Sequence, residues 1–218
     1  MSCKELNDTM ATLLRVDSSP LPEGASFSRQ LTSEFAEKWQ RTHPGGQIIS
    51  RDLSQTELSP LDAAWITAVH TPKASLTSAQ KEVLSLSDGL IEELKSADEY
   101  AIGVSMHNFS IPSALKLWID QIARAGETFS YEGGAPAGLL ANKKATFLVA
   151  SGGVYDNGTP GFALNFIEPY LRSLFSFIGV KDITFIYAGG TARSHSGVGR
   201  EVILEPALAS IHNQFQAA

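Results

Sequence analysis

Apolar residues fall into two patterns that alternate along the chain: short unbroken runs, and longer stretches in which they recur every three or four positions. The unbroken runs predict five buried strands, at residues 10–16, 47–53, 99–105, 144–150 and 183–188. The wider spacing is that of an amphipathic helix. It predicts one helix that opens at 26–28 and ends at 43–46, and further helices at 77–95, 113–124, 169–178 and 198–215.

Strands and helices alternate five times, and this rhythm predicts a single α/β domain. Its sheet is expected to be parallel, with helices on both faces, because parallel strands are joined through helices that cover the sheet. Five strands in this rhythm favour the doubly wound order 2-1-3-4-5. Residues 54–76 are interpreted as a proline-containing loop and residues 125–142 as irregular. Residues 10–218 are assigned to the domain, and the polar residues 1–9 to a disordered tail.

Composition and charge narrow the class of protein. The chain has 218 residues and a net charge of −6, which argues against a large basic surface for nucleic acid. No apolar run in the sequence approaches the roughly 18 residues that a membrane span needs. The single cysteine, Cys3, excludes an internal disulfide bond and fits a reducing cytoplasm. The five histidines lack the spacing of metal ligands, so no metal site is expected.

The loops that follow strands 1, 3 and 4 are the candidate ligand site, because these strands are neighbours in the predicted order. Open α/β sheets bind ligands at such carboxyl ends. The first loop carries Ser18, Ser26 and Ser28 just before a helix. Free N–H groups at a helix start, together with hydroxyl groups, suit a phosphate monoester. The loop is neither a P-loop nor a dinucleotide fingerprint, and ordinary helix capping is the alternative.

The second loop, residues 106–109, reads Met-His-Asn-Phe and lies between a buried strand and a helix. Pro112 suits the first turn of that helix, and Ser110 or Ser113 is expected to cap it. The loop either passes beneath a flat ligand or is a plain connection with Phe109 in the core. Its position at a strand end favours the ligand.

The third loop begins Ser151-Gly152-Gly153, directly after the fourth strand. Paired glycines allow close approach of the backbone or a positive φ angle, and a tight turn is the alternative. Each loop is a weak signal by itself. Their placement on adjacent strand ends makes a shared site the stronger interpretation.

A composite motif starts at the second loop. It reads M-x-N-F at 106–109 and D-x-x-A-R-A-G-x-T-F-x-Y at 120–131. It resembles the FMN-dependent NADH azoreductases, which belong to the flavodoxin-like NAD(P)H:quinone reductases. The similarity runs from about residue 10 to the end, and further matching segments lie at 136–139, 143–145, 151–155 and 169–171.

The resemblance implies a flavodoxin-like fold that binds FMN. Matching positions are Ser18, Ser26, Phe27 and Ser28 at the phosphate, Met106, His107, Asn108 and Phe109 along the isoalloxazine, and Ala150, Ser151, Gly152 and Gly153 beside the pyrimidine edge. Many relatives have Pro and Tyr where this chain has Ser105 and His107. His107 is therefore a departure that either tunes the flavin or faces solvent.

The resemblance also implies an enzyme that oxidises NADH or NADPH and reduces quinones or azo compounds by two electrons, with ping-pong kinetics. It implies a homodimer that builds its flavin pockets across the subunit interface. Water, His107 or Tyr131 is the expected proton donor. Residues expected to contact the substrate are His70, Phe129, Tyr131, Phe162 and Phe166. Exposed aromatic residues also mark dimer interfaces, and both roles are compatible.

Two other functions remain open from the residues alone. A non-enzymatic electron carrier shares the fold, although the added segments at 54–76 and 125–142 favour a substrate pocket. A serine hydrolase would use Ser105, because residues 103–107 nearly spell the G-x-S-x-G elbow. The final glycine of that motif is missing, and only His195 or His212 is available as the base.

Overall fold

Five parallel strands form the central sheet of the computed structural model, which describes residues 10–216. The strands of this sheet are β1 (Thr12–Asp17), β2 (Gln47–Asp52), β3 (Glu99–Ser105), β6 (Lys144–Ala150) and β7 (Asp182–Ala188), and a separate two-stranded sheet contains β4 (Phe129–Ser130) and β5 (Ala137–Gly138). The sheet has the order β2-β1-β3-β6-β7, and every pair is parallel. The predicted order 2-1-3-4-5 is confirmed. The tail predicted at 1–9, which includes Cys3, lies outside the described residues.

Helices cover both faces of the sheet, as predicted. They are α1 (Phe27–Thr42), α2 (Ala63–Val69), α3 (Ser78–Ser96), α4 (Ser113–Ile122), α5 (Ile167–Phe177) and α6 (Arg200–Gln216). Successive strand residues point to opposite faces. Leu13 of β1 therefore packs in a core with α1 and α6, whereas Leu14 packs in a core with α3, α4 and α5. Among residues 10–216, each helix is too short or too polar to cross a bilayer.

The prediction of a loop at 54–76 is wrong in part, because the segment contains α2. Asp62 caps this helix by accepting a hydrogen bond from the N–H of Trp65 at 2.8 Å. Trp65 is buried, and its indole Nε1 donates to Oε1 of Gln121 in α4 at 2.9 Å. A helix of seven residues is too short to be stable alone. Tertiary contacts with α3 and α4 therefore hold α2 in place.

The start of α4 also differs from the prediction that Ser110 or Ser113 caps it. Pro112 occupies the N-cap position, and no side chain caps the helix. Ser110 is instead bonded to His107 through both of its backbone groups, and Ser113 is the first helical residue. Because proline has no N–H group and a fixed φ, Pro112 adds no unpaired donor at this helix start.

The segment predicted as irregular at 125–142 contains the antiparallel pair β4–β5. The ring of Phe129 packs on Phe177, the last residue of α5, with centroids 4.6 Å apart. Gly138 lies so close to Gly179 that an added Cβ would come 2.1 Å from the Gly179 nitrogen. Since α5 runs back from the end of β6 towards the start of β7, this hairpin docks near the amino-terminal edge of the sheet.

This docking predicts a large penalty for a single methyl group. We expect Gly138→Ala to lower the free energy of unfolding by about 3 kcal/mol, because the methyl would overlap backbone that has no room to move. Gly89→Ala is the control: Gly89 lies in α3 with open space around its Cβ position, so it should gain up to about 1 kcal/mol. Urea unfolding measures both. Equal effects of the two substitutions would contradict the tight docking of β5.

Candidate functional site

Three loops meet at the carboxyl edge of the sheet: the β1 loop (residues 18–26), the β3 loop (residues 106–112) and the β6 loop (residues 151–155). Backbone hydrogen bonds join them at their bases. The N–H of Ser18 donates to the carbonyl of Gly103 in β3 at 3.3 Å, and the N–H of Met106 donates to the carbonyl of Ala150 at 2.8 Å. The structure therefore brings together the loops that strand order predicted to be neighbours.

The β1 loop ends at the first turn of α1, where two serines form a buried hydroxyl pair. Ser26 is the N-cap residue, and its Oγ accepts a hydrogen bond from the N–H of Arg29 at 3.3 Å. The same oxygen lies 3.3 Å from Oγ of Ser28. Within residues 10–216, the N–H groups of Phe27 and Ser28 have no backbone acceptor. The turn thus presents hydroxyl groups and free N–H groups at the positive end of a helix dipole.

Ser18 differs from Ser26 and Ser28. Its hydroxyl group is buried and donates to the carbonyl of Gly103 at 2.6 Å. The proton of Ser18 is therefore already used in joining β1 to β3. Only the oxygen lone pairs of Ser18 remain free in this geometry, so a phosphate would compete with the Gly103 carbonyl for the hydroxyl proton.

Arg29 holds the β1 loop from behind. Its guanidinium donates to both carboxylate oxygens of Asp52, at 2.6 and 2.8 Å, and to the carbonyl of Ser19 at 2.7 Å. These bonds lower the pKa of Asp52 to about 2. Burial raises the pKa of the neighbouring Asp17, although Thr32 donates a hydrogen bond to it. The charge of Arg29 is matched by these acids, so Arg29 shapes the loop rather than offering a free cation.

The Asp52–Arg29 pair predicts a pH-dependent contribution to stability. The pKa of Asp52 in the fold lies below the value of about 3.9 for an unfolded chain. The pair therefore stabilises the fold above about pH 4, and this stabilisation is lost as the pH falls towards 2. At pH 7 we expect Asp52→Asn to lower the free energy of unfolding by about 1 to 2 kcal/mol, allowing for the 35% exposed side chain. Urea unfolding from pH 7 to pH 2 measures it.

Glu37→Gln is the matched control for this prediction, since it breaks an exposed pair with Arg41 on α1. It should change stability by no more than about 0.5 kcal/mol at any pH. A difference between wild type and Asp52→Asn that persisted undiminished at pH 2 would contradict the role of the ionised carboxylate.

The β3 loop contains a tight turn in an unusual conformation. His107 and Ser110 exchange backbone hydrogen bonds of 2.9 and 3.0 Å, and the two residues between them have positive φ angles, 49° for Asn108 and 68° for Phe109. This is the pattern of a type I′ turn, in which the second position is normally glycine. A phenylalanine there is strained, and such strain is retained mainly at functional sites.

Phe109 is not the core residue that the alternative interpretation predicted. Its side chain is 42% exposed, and its ring packs edge-on against Tyr155 of the β6 loop. Its carbonyl accepts a hydrogen bond from the N–H of Phe166 at 3.1 Å. His107 is also exposed, which is compatible with both of its interpretations. The β3 loop therefore offers an exposed aromatic ring and an exposed imidazole at the carboxyl edge.

The β6 loop is held by hydrogen bonds rather than by unusual φ angles. Oγ of the buried Ser151 donates to the carbonyl of Gly153 at 2.9 Å. Neither Gly152 nor Gly153 has a positive φ, so that part of the prediction is wrong. Close approach is correct for Gly153, where a Cβ would lie 3.0 Å from the ring of Tyr155. At Gly152 the space is open, and a Cβ would meet only Cβ of Ala192 at 3.8 Å.

Sequence reasoning missed a fourth contributor, the residues that follow β7. The N–H groups of Gly190, Thr191 and Ala192 donate to the carbonyls of Gly153, Ser151 and Gly152, at 2.8, 3.0 and 3.2 Å. The segment therefore fixes the backbone of the β6 loop from the outer side. A signal was present, because a second glycine pair, at 189 and 190, directly follows the fifth strand.

The predicted substrate residues separate into groups within one protomer. Phe162 and Phe166 are exposed in the segment before α5, and Phe166 is bonded to the β3 loop. Phe129 and Tyr131 lie at the other end of α5, an 11-residue helix of about 16 Å. His70 ends α2 on the flank of the sheet, where its ring Nδ1 is bonded to the carbonyl of Ile66. A single protomer brings only the first group to the three loops.

The donors and open spaces at this edge fit FMN. A phosphate dianion matches the hydroxyl and N–H groups at the first turn of α1. Around the ring, the N–H groups of Asn108, Phe109, Gly152 and Gly153 have no backbone acceptor within residues 10–216. Oγ of Ser105 is buried without a hydrogen-bond partner among those residues. A flat ligand with polar edges would satisfy such donors.

The hydrolase alternative finds no support at Ser105. No histidine contacts its Oγ, since that atom has no hydrogen-bond partner in the described chain. His212 lies on α6, where its Nε2 is paired with Gln216, and His195 is exposed in the turn after β7. A nucleophile needs a base within hydrogen-bond reach. The geometry therefore excludes the elbow interpretation of residues 103–107.

The sheet order and the loops at its carboxyl edge define a flavodoxin-like protein, and a family model described as a flavodoxin-like fold matches residues 11–214. An FMN-dependent NADH:quinone oxidoreductase of Acidobacterium capsulatum is 54% identical over 200 residues, covering 91% of this chain and 96% of that one. FMN-dependent NADH:quinone oxidoreductase 3 of Burkholderia lata is 44% identical over 207 residues, covering 94% and 100%. The chain belongs to the family of FMN-dependent NADH:quinone oxidoreductases.

Solved structures agree with this assignment. The azoreductase from Bacillus anthracis strain Sterne superposes with a TM-score of 0.83 at 25% identity, covering 96% of this chain and all of that one. An FMN-dependent NADH-azoreductase from the Ames Ancestor strain of the same species, solved in complex with FMN, gives 0.82 at 26% identity, covering 94% and 98%. The resemblance seen in the sequence motifs is confirmed.

Proposed function

We propose that this protein is an FMN-dependent oxidoreductase that uses NADH to reduce quinones and azo compounds by two electrons. Its family membership and the names of its relatives support this function. The observation that carries it is the set of donors at the carboxyl edge: a hydroxyl pair and free N–H groups at α1, beside an open surface at Phe109 and Gly152.

Each group of residues has a separate task in this proposal. The first turn of α1, with Ser26 and Ser28, holds the phosphate through hydroxyl and backbone donors. Backbone N–H groups of the β3 and β6 loops stabilise negative charge at the polar edge of the ring, because preorganised donors cost no reorganisation. FMN, when bound, supplies the hydride chemistry itself. Phe109, Phe162 and Phe166 exclude water and give planar substrates an aromatic surface.

In this proposal the nicotinamide and the oxidant bind in turn at the same open surface beside Phe109 and Gly152. Such alternation predicts ping-pong kinetics. The proton that completes the reduction comes from water or from a side chain at the edge. Of the two side chains considered, His107 is exposed on the β3 loop of the same protomer, whereas Tyr131 belongs to the distant hairpin. The names of the relatives favour NADH over NADPH as donor.

The separation of the aromatic residues supports a homodimer. Phe129 and Tyr131 lie about one α5 length from the three loops, and the side chain of Tyr131 is 61% exposed. A second copy of the chain could place its β4–β5 hairpin over Phe109 at the carboxyl edge of the first copy. This would cover apolar side chains on both subunits. His70, on the flank of the sheet, is proposed to contact the substrate in the same pocket shared by the two subunits. A cytoplasmic location stays a prediction and is supported by the single cysteine.

The visible absorbance spectrum tests the function directly. Protein mixed with FMN and passed through a desalting column should retain a flavin band at about 450 nm. Anaerobic NADH should bleach the band, and a quinone should restore it. Steady-state consumption of NADH with quinone separates an enzyme from an electron carrier. Ser105→Ala should leave this turnover largely intact, because Ser105 is not used as a nucleophile. Failure of the protein to bind FMN would overturn the proposal.

A further inference from the structure

The segment that runs from the end of β7 to the first residue of α6, residues 189–200, touches two of the three site loops. Its first part is bonded to the backbone of the β6 loop, as described above. Its last residue, Arg200, contacts the start of α1, where it donates to the carbonyl of Ala25, 175 positions earlier in the sequence. This segment, here called the β7 segment, therefore connects the β6 loop with the serine pair at the start of α1, where the phosphate is proposed to bind.

Arg200 holds the first turn of α1 at three points. Its guanidinium carbon lies 3.8 Å from the centroid of the Phe27 ring. Its Nη1 donates to the carbonyl of Ala25 at 3.2 Å, and its Nη2 donates to Oε1 of Gln30 at 3.2 Å. Ala25 and Phe27 flank the N-cap residue Ser26. The contacts therefore surround the hydroxyl pair without using its hydroxyl groups.

The chemistry of arginine suits this position. A planar guanidinium fork makes two hydrogen bonds and stacks on an aromatic ring at the same time, which lysine cannot do. Arg200 pairs with no carboxylate within 4 Å among the described residues, in contrast to Arg29, which is matched by Asp52 and Asp17. The uncompensated charge of Arg200 adds to the positive end of the α1 dipole. Charge and rigidity both favour a phosphate dianion at this turn.

We propose that Arg200 is a positioning residue that makes this protein prefer flavin phosphate over the unphosphorylated flavin. It acts by fixing the turn of Ala25 to Ser28 and by raising the local positive potential, without itself contacting the reacting ring. This inference rests on the proposed FMN-dependent function. It adds a residue of the β7 segment that the motif comparison in the sequence did not include.

Flavin affinity of the apoprotein tests the inference independently of turnover. Dissociation constants for FMN and for riboflavin are measured from flavin fluorescence in wild type, Arg200→Gln and Arg200→Lys. We expect Arg200→Gln to weaken FMN binding about tenfold and riboflavin binding by less than about twofold. Arg200→Lys keeps the charge but loses the fork, so its FMN affinity should be intermediate. The loss in Arg200→Gln should shrink at high salt, since part of it is charge attraction.

Two further variants control for charge and for folding. Arg41→Gln removes one positive charge at the far end of α1 and should leave both affinities unchanged. Gln30→Ala removes a single exposed anchor of Arg200, and we expect it to weaken FMN binding two- to threefold, approximately, while the protein remains folded. Gln30→Ala keeps the inference testable even if Arg200→Gln unfolds.

The outcomes separate the two proposals. Wild-type protein that binds neither flavin overturns the proposed function together with this inference. Wild-type protein that binds FMN, with Arg200→Gln and Gln30→Ala unaffected, overturns only the inference. Equal losses for FMN and riboflavin also overturn it, because the arginine would then hold the fold in general. A loss confined to FMN supports it.

Discussion

Replacement of both Ser26 and Ser28 by alanine should weaken FMN binding at least 100-fold, approximately. Hydrogen bonds to a charged group contribute about 1.5 to 3 kcal/mol each, and 1.4 kcal/mol corresponds to a factor of ten. The two hydroxyl groups lie 3.3 Å apart and are buried at the first turn of α1, where a phosphate would meet both. Fluorescence titration of the apoprotein with FMN measures the change.

The same double substitution should also cost some stability, because Ser26 caps α1. Removal of such a cap costs about 1 kcal/mol. Thr77→Ala is the matched control: Thr77 caps α3 through a capping box with Gln80, on a helix start outside the three loops. It should lose a similar amount of stability and keep its FMN affinity. Unchanged FMN affinity in the double variant would remove the phosphate assignment.

Phe109→Gly should reduce kcat/KM for quinone about 100-fold while changing the free energy of unfolding by no more than about 1 kcal/mol. Glycine relieves the strain of a side chain at φ 68° in a type I′ turn. That gain offsets the loss of the half-exposed ring from its contact with Tyr155. Without the ring, the substrate loses part of its aromatic surface and the turn is free to move. Steady-state kinetics and urea unfolding measure the two effects.

Asn142→Gly provides the comparison, because Asn142 also has a positive φ, 63°, but precedes β6 at the opposite edge of the sheet. It should gain at most about 1 kcal/mol and keep full activity. If Phe109→Gly destabilised the fold strongly and left turnover intact, the strained turn would be structural, and the functional interpretation of Phe109 would be wrong.

The residues that form the β3 loop and the turn at the start of α1 were predictable from the sequence, whereas their detailed geometry was not. The residues of the β3 loop followed from the motif at 106–109, but the type I′ conformation did not, because phenylalanine is a poor residue for a positive φ. The hydroxyl pair at α1 was predictable from serines before a helix. The commitment of the Ser18 hydroxyl to Gly103 was not, since it depends on a neighbouring strand.

The aromatic residues predicted to contact the substrate show more clearly what the sequence could not determine. Phe129, Tyr131, Phe162 and Phe166 all belong to loops with exposed aromatic residues, and the sequence groups them together. Docking of Gly138 against Gly179 carries the first two to the far end of α5. Sequence spacing has no information about which end of a helix a distant hairpin will meet. That choice is made by packing.

The sequence by itself determined the sheet, its order and the three loops at its carboxyl edge. It did so because strand and helix periodicity are local properties of the chain, and because few topologies connect five parallel strands through helices. Only the tertiary structure decided the position of α2, the division of the aromatic residues and the reach of Arg200 to the first turn of α1. These features rest on contacts between residues far apart in sequence, whose free energy appears only when the fold brings them together.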